Sequence, residues 1–246
     1  LGHVCGSLEL NDVLAQTGKI QHDPLFPAIL LLTLFAAFTK SAQFPFHFWL
    51  PNAMEAPTPV SAFLHSATMV QAGIYLLARM SPLLSGGSAW HIVLCIFGGA
   101  TLLWGGLMAL KQTDLKQILA QTTIASLGLL VLLLGIGGET AALAVAAYFV
   151  AHALYKATLF LVTGIIDKST GTRDITALGG LRDHLTISFI ASGLAALSMF
   201  GVPPFLGYIA KEEINASLGV ADPWAILLLA VVVVGNALIG AAALAL

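Results

Sequence analysis

Seven long apolar segments constrain this chain more than any other feature of its sequence. They lie at about residues 25–49, 60–80, 89–110, 116–136, 140–166, 186–217 and 223–246. Each meets the requirement of roughly 20 mostly apolar residues for a helix that crosses a bilayer. Most of the short connections contain Pro, Gly or Ser, as at Ser81-Pro82, Gly86-Gly87, Gly137-Gly138 and Asp222-Pro223. The pattern predicts an all-α polytopic membrane protein with about seven transmembrane helices.

The composition excludes several other classes of protein. Of the 246 residues, 58% are hydrophobic and only 9% are charged, whereas a soluble domain carries about 25% charged residues. So few charges cannot coat a soluble globule, which excludes a soluble enzyme, a nucleic-acid binder and a disordered chain. Cys5 and Cys95 define neither a disulfide framework nor a metal site. Since no nucleotide, metal or redox motif occurs, we expect no cofactor and no catalytic residue.

Two of the apolar segments contain prolines in their interior. The first holds Phe44-Pro45, and the sixth holds Gly201-Val202-Pro203-Pro204. Proline removes a backbone donor and clashes with the preceding turn, so both helices are predicted to break within the membrane. Broken helices in a bilayer survive only where protein or a wet cavity satisfies the freed backbone groups. Two such breaks in one bundle indicate a transport path.

The distribution of Lys and Arg predicts the orientation of the chain. If each segment crosses the membrane once, one side holds Lys19 and Arg79, and the other holds Lys111, Lys116, Lys168, Arg173 and Arg182. The richer side is predicted to be cytoplasmic, which makes residues 1–24 an extracytoplasmic loop. Because residue 1 is Leu and no signal sequence follows, we interpret the chain as an internal piece of a longer one.

Three lysines, Lys40, Lys156 and Lys211, fall inside predicted spans. A lysine at the bilayer centre costs roughly 2.5–3.5 kcal/mol unless it is solvated or paired, so such residues are usually functional. Lys211 lies beside Glu212 and Glu213, and a structural ion pair explains it equally well. For Lys40 and Lys156 no acidic residue lies within a helical turn. These two lysines are therefore predicted to load and release protons.

Polar side chains share a face with Lys156. His152 precedes it by four residues, Tyr148 by eight, and Thr163 follows on the same side. Tyr, His and Lys stacked in this way can pass a proton through intervening water. Further polar lining is predicted near the cytoplasmic end of the fourth span, from Gln117, Gln121, Thr122 and Thr123.

His65 lies in the second span, with Ser61 and Thr68 on nearby faces. An intramembrane histidine is as often a packed, hydrogen-bonded residue as a proton carrier. Both interpretations of His65 stay open on this evidence.

Several long motifs, in order along the chain, carry a resemblance to a known family. They are TKSAQFPFHFWLP at 39–51, APTPVSA at 56–62, LHSATMV at 64–70, QTDLK at 112–116, HALYKA at 152–157, GGL at 179–181, PPF at 203–205 and Lys211-Glu212. With these motifs the chain resembles the proton-translocating antiporter-like family. That family includes the large subunits of Mrp-type Na⁺/H⁺ antiporters and the antiporter-like subunits of respiratory complex I.

Within that family the chain looks more like the Mrp A subunit than like its complex I relatives. The motif Met54–Pro59 followed by Leu64-His65-Ser66 favours this assignment, and Tyr148 supports it, since complex I relatives commonly carry a second His there. Gln71 departs from the Mrp pattern, in which a lysine often stands. The alternative is a proton-pumping antiporter-like subunit of complex I (NADH:quinone oxidoreductase) or of a related membrane-bound redox complex.

The resemblance implies a role for each matching residue. Lys40 matches a central lysine that receives a proton from the cytoplasm, and His65 matches a relay position beside it. The polar axis that carries protons laterally is matched by Lys116, His152 and Lys156. Lys211, with Glu212 adjacent, matches the lysine from which the proton exits. Tyr148, Asp114 and Thr68 are expected to give polar support.

The family fold consists of two five-helix repeats of inverted topology, each with one broken helix. The resemblance therefore implies that residues 25–85 end the first repeat, with its break near Pro45, and that residues 86–246 contain the second break near Pro203. A glutamate partner of Lys40 is expected upstream of residue 1. The implied function is a proton-translocating segment of a multisubunit Na⁺/proton antiporter in the inner (plasma) membrane. Its implied partners are other membrane subunits, lipid, protons and Na⁺.

Overall fold

The computed structural model describes residues 1–218 and 223–243, and the fold is helical throughout this part of the chain. The helices, in chain order, are α1 (Gly2–Cys5), α2 (Leu10–Ala15), α3 (Thr17–Gln21), α4 (Phe26–Lys40), α5 (Trp49–Asn52), α6 (Thr58–Ser66), α7 (Ala72–Leu84), α8 (Ser88–Ala109), α9 (Leu115–Ile136), α10 (Gly138–Thr170), α11 (Leu181–His184), α12 (Thr186–Phe200), α13 (Leu206–Ser217) and α14 (Pro223–Ala243). Two short 3₁₀ helices, Phe46–Phe48 and Ala53–Glu55, flank α5.

Helix α9 forms the centre of the bundle. All of its residues are buried except Gln117 and Ile136, as expected for a helix that is apolar on every side. It packs against α8, α10 and α14. Side chains that α9 contributes to its neighbours are therefore held away from lipid on all sides.

Glycines bring α8 and α9 into close contact. They recur at intervals of seven residues, at Gly98 and Gly105 on α8 and at Gly128 and Gly135 on α9. A Cβ on Gly98 would lie 2.5 Å from the backbone nitrogen of Leu132, and one on Gly128 would lie 2.7 Å from the carbonyl oxygen of Gly98. Small residues at such crossings let two backbones approach closely in a membrane.

The turn between α9 and α10 is very tight. Gly137 and Gly138 have positive φ angles of 72° and 86°, which suits glycine. The 33 residues of α10 then extend for about 50 Å, longer than the hydrocarbon core of a bilayer. This geometry runs α10 antiparallel to α9 and places polar residues of the two helices opposite each other.

Both predicted helix breaks are confirmed. Helix α4 ends at Lys40, and the chain passes through Pro45 before helical structure resumes at Phe46. Helix α12 ends at Phe200, where Gly201 adopts a φ of 76°, and α13 begins at Leu206. Lys40 is thus the last residue of α4, next to the first break. Lys211 lies within α13, and its side chain reaches back to Phe200 at the second break.

A third break divides the second predicted span, so the prediction of one continuous helix over 60–80 is wrong. Helix α6 ends at Ser66 and α7 begins at Ala72. At this break a side chain supplies a hydrogen bond in place of a helical N–H. Thr68 Oγ1 donates to the carbonyl oxygen of Phe63 (2.8 Å). In addition, Ser41 Oγ donates to the carbonyl oxygen of Val70 (2.7 Å) and thereby joins the first and third breaks.

Four helices in residues 1–218 and 223–243, namely α8, α9, α10 and α14, are long and apolar enough to span a membrane. Helices α4, α7 and α12 are apolar but shorter, and their segments are the ones divided by breaks. The count of seven crossings stays a prediction.

The segment predicted as a loop, residues 1–24, contains the short helices α1, α2 and α3. Asp222 and residues 244–246, which belong to the predicted pattern of spans and turns, lie outside the described residues.

Asp114 anchors the start of α9. Its Oδ1 accepts hydrogen bonds from the backbone nitrogens of Lys116 (2.7 Å) and Gln117 (3.1 Å), as an N-terminal cap does. Its Oδ2 lies 3.0 Å from Arg173 Nε in the loop that follows α10. Asp114 therefore has a structural role at this end of the bundle.

Asp174 lies in the same loop as Arg173. Hydrogen bonds from the backbone and hydroxyl of Thr176 lower the pKa of Asp174.

Candidate functional site

Lys156 is completely buried in α10. Its Nζ donates to the carbonyl oxygen of Leu119 (3.0 Å) and to the hydroxyl of Thr122, both on α9. The ion pairs found in residues 1–218 and 223–243 both involve Arg173, and neither involves Lys156. A titratable amine thus lies between two helices with only neutral oxygens as partners, which is the kind of buried group that is usually functional in a membrane protein.

Near this lysine, three hydroxyl groups are linked to one another along the interface of α9 and α10. Ser126 Oγ donates to the carbonyl oxygen of Thr122 (2.9 Å), and Tyr148 OH donates to Ser126 Oγ (3.1 Å). Tyr155 OH in turn donates to Tyr148 OH (3.3 Å). Hydroxyl groups donate and accept at once, so such a chain can hold a proton or pass it on.

His152 lies on the same face of α10 and is also fully buried. Its Nδ1 is 2.9 Å from Nε2 of Gln71, at the third break. The rings of Tyr148 and Tyr155 lie on either side, with centroids 6.4 Å and 5.5 Å from that of His152. The structure therefore joins Tyr148, His152 and Lys156 in one buried polar cluster with Gln71, as the shared helix face predicts for the three residues of α10.

His65 is buried in α6, 6.3 Å from the ring of Trp49 and 6.4 Å from that of Phe160, measured between centroids. Ser61, one turn before it, is buried as well. Thr68 is only half-buried and bonds locally across the third break, so it supports the backbone rather than lining the cluster.

Lys116 lies inside the bundle, although the prediction of orientation counts it as a loop residue. It belongs to the first turn of α9 and is 2% exposed. Its Nζ donates to the carbonyl oxygen of Ala56 (2.8 Å), and the neighbouring Gln117 Nε2 donates to that of Pro51 (3.0 Å). Lys116 thus holds the connection between α5 and α6 against the start of α9, and Gln117 holds α5 there.

The two lysines at the helix breaks differ in their surroundings. Lys40 is exposed on the surface of this chain, and in the described part of the chain it shares no hydrogen bond with the cluster around Lys156. Lys211 is half-buried, and its Nζ reaches back across the second break to the carbonyl oxygen of Phe200 (2.8 Å). Glu212 beside it is exposed. The structure thus brings neither lysine into the central cluster.

Several buried polar atoms around the cluster have no hydrogen-bond partner among the residues that the structure describes. They include Ser61 Oγ, His65 Nδ1, Gln71 Oε1, Gln121 Oε1 and His152 Nε2. Buried polar groups are nearly always satisfied, and in such sites ordered water is the usual partner. These atoms are therefore free to form hydrogen bonds beyond those in the described structure.

Three members of the cluster have no role in the predictions made from the sequence. Gln71 is noticeable in the sequence only as a departure from the family pattern, and Ser126 and Tyr155 receive no role. Tyr155 follows Tyr148 by seven residues, and Ser126 follows Thr122 by four. These spacings put each pair on one helix face, which the sequence alone indicates. To assign Ser126 and Tyr155 to the cluster, however, one must know which faces of α9 and α10 meet.

Broken apolar helices and a buried lysine are typical of membrane transport proteins, and comparison with known proteins agrees with this interpretation. The family model described as "NADH:quinone oxidoreductase/Mrp antiporter, TM" matches residues 1–239. The chain belongs to this family.

Within the family, the similarity is to the A subunits of Mrp-type antiporters. The chain is 50% identical over 212 residues to the A/B subunit of a probable K⁺/H⁺ antiporter from Rhizobium meliloti (strain 1021), covering 86% of the chain and 21% of the relative. It is 47% identical over 227 residues to the A subunit of a Na⁺/H⁺ antiporter from Alkalihalophilus pseudofirmus, covering 87% of the chain and 28% of the relative.

A solved structure shows the same fold. The "Structure of Mrp complex from Dietzia sp. DQ12-45-1b" contains a chain that matches with a TM-score of 0.91 and 41% identity. The match covers 98% of this chain and 27% of that one. The chain thus spans only about a quarter of the length of these relatives.

Proposed function

We propose that the chain is the proton-translocating segment of the A subunit of a multisubunit cation/proton antiporter. The observation that carries this proposal is the complete burial of Lys156 between α9 and α10 with carbonyl and hydroxyl partners alone. A lysine kept there against its desolvation cost can bind and release a proton as its surroundings change. The similarity to subunits named as antiporters supports this function over a place in complex I.

The proposed path uses the residues that match the family motifs. Lys40 receives a proton at the first break, and His65 relays it toward the bundle interior. Lys116, His152 and Lys156 then form the lateral axis, with Tyr148 and the hydroxyls of α9 beside them. The hydrogen bonds from Lys156 to α9 and from Tyr148 to Ser126 support this part of the path.

The proposed exit is Lys211, at the second break, with Glu212 adjacent. Support comes from the position of Lys211 Nζ, which lies 2.8 Å from a carbonyl oxygen freed by the end of α12. The amine of Lys211 supplies the hydrogen-bond donor that the helix no longer provides. The charged amine donates a stronger hydrogen bond than the neutral amine does, so release of a proton from Lys211 weakens this contact across the break.

The proposal also includes the transported cation, the partner subunits, the membrane and the orientation of the chain. The named relatives are K⁺/H⁺ and Na⁺/H⁺ antiporter subunits, and we propose Na⁺ as the cation. Other membrane subunits of the complex are the proposed partners. We also propose a location in the plasma membrane with residues 1–24 on the extracytoplasmic side, an orientation that the basic residues near α9 and α10 favour.

Replacing Lys40 or Lys211 with alanine in the complete complex is expected to abolish Na⁺-driven pH changes in everted membrane vesicles. Each substitution removes the titratable amine at a helix break. Lys111→Ala, in the exposed connection between α8 and α9, is the matched control and should leave antiport unchanged. Antiport at the wild-type rate in both break variants would exclude the proposed path.

A further inference from the structure

Gln71 is a polar side chain that is buried at the third break. It precedes α7 directly at the third break and is 1% exposed. Its Nε2 lies 2.8 Å from the carbonyl oxygen of Ser66, at the end of α6, and 2.9 Å from His152 Nδ1 on α10. One amide group therefore connects the two ends of the break to the histidine of the polar cluster.

The carbonyl of Ser66 determines which way the amide of Gln71 points. A backbone carbonyl oxygen only accepts hydrogen bonds, so the atom beside it must be the NH₂ group and not the amide oxygen. The same NH₂ group then directs its second hydrogen at Nδ1 of His152. Since an amide nitrogen does not accept hydrogen bonds, Nδ1 of His152 is the acceptor in this arrangement.

We propose that Gln71 is a positioning residue that holds His152 in the neutral tautomer carrying its proton on Nε2. In this tautomer the proton is on Nε2, which is buried and has no hydrogen-bond partner among the described residues. The ring orientation and the proton position of a relay histidine are commonly set by the hydrogen bond on its other nitrogen. Gln71 provides that bond here.

The same geometry makes the amide of Gln71 respond to the charge state of His152. Protonation of Nδ1 would bring two N–H donors face to face at 2.9 Å. Rotation of the amide by half a turn relieves this conflict, because Oε1, which lacks a partner in the described residues, then accepts from Nδ1–H. The rotation removes the donor from Ser66, so a proton on His152 loosens the contact that joins Gln71 to the end of α6.

The inference deepens the proposed function, because it concerns how a histidine of the proton path is held. It is tested by ¹³C,¹⁵N solid-state NMR of histidine-labelled complete complex in lipid. The ring-nitrogen signals of His152 are assigned by their absence from the His152→Asn complex. In the wild type we expect a neutral ring protonated at Nε2.

The Gln71→Met variant keeps the side-chain length and removes the donor. The Ser66 carbonyl and His152 Nδ1 are then both left without the amide, and a proton on Nδ1 can satisfy the carbonyl. We expect the Nε2-protonated signal to lose its dominance and an Nδ1-protonated signal to appear. Gln43→Met is the matched control, since Gln43 is equally buried at the first break and bonds Ser41 instead; it should leave the His152 signals unchanged.

A wild-type ring protonated at Nδ1, or at both nitrogens, would overturn the proposal, as would an unchanged spectrum in Gln71→Met. The wild-type spectrum alone decides the matter if the Gln71→Met complex does not assemble. The tautomer is read without transport, so a failure of the antiport experiments would remove the proposed function while leaving this result standing.

Discussion

Lys156→Met is expected to abolish cation-driven proton movement while leaving the complex assembled. Methionine has a similar length and fits an apolar interior, but it cannot bind a proton. An apolar side chain at this position avoids the cost of burying an amine away from water. The substitution leaves Leu119 and Thr122 without the amine, and both oxygens still have partners available within α9.

The experiment compares everted vesicles that contain the complete complex as wild type, Lys156→Met or Lys168→Met. Lys168 lies on the same helix but is exposed, so its substitution removes one positive charge without touching the cluster. We expect transport at the wild-type rate for Lys168→Met and none for Lys156→Met, with equal amounts of assembled complex. A purely structural Lys156 would instead give normal transport in both variants.

Gly128→Leu is expected to have the largest effect on stability. A Cβ at this position would lie 2.5 Å from the backbone nitrogen of Leu102 and 2.7 Å from the carbonyl oxygen of Gly98. Backbone atoms cannot rotate away as a side chain can, so α8 and α9 must separate. Overpacking of a tight interior costs about 1–3 kcal/mol and occasionally more, and we expect this variant to reach the upper end of that range.

The matched control is Gly193→Leu, since Gly193 lies inside a helix and has no atom within 4 Å of its would-be Cβ in the described part of the chain. Thermal unfolding of the purified complex should show a fall of several degrees in Tm for Gly128→Leu and little change for the control. Because α9 also carries Thr122, the Gly128 variant should lose transport as well. Equal Tm values for the two variants would show that the close contact of α8 and α9 does not limit stability.

The sequence predicts those parts of the structure that depend on local chemistry. Prolines at positions 45 and 203 indicate two breaks, and both occur. The four-residue spacing of His152 and Lys156 places them on one face, and the structure buries both. The resemblance to the antiporter family is confirmed by the family model and by the relatives.

The third break could not be predicted, because it depends on tertiary contacts rather than on proline. Residues 67–71 leave the helix where Ser41 donates a hydrogen bond to Val70 and where Gln71 contacts His152 on α10. For the same reason the partner of His152 was missed, as it lies 81 positions away in sequence. The roles of all residues in the proposed proton path stay predictions, and the side chains of Lys40, Lys211 and Glu212 in addition lie outside the central cluster.

The central proposal is that this chain carries protons within a complex that exchanges them for a cation, and the most direct test uses the purified complete complex in proteoliposomes with a pH-sensitive dye inside. Vesicles loaded with Na⁺ are diluted into medium without it, and the experiment is repeated with K⁺. We expect the interior to become acidic as the cation leaves, because protons enter in exchange. An interior pH that stays constant under both cation gradients would contradict the claim.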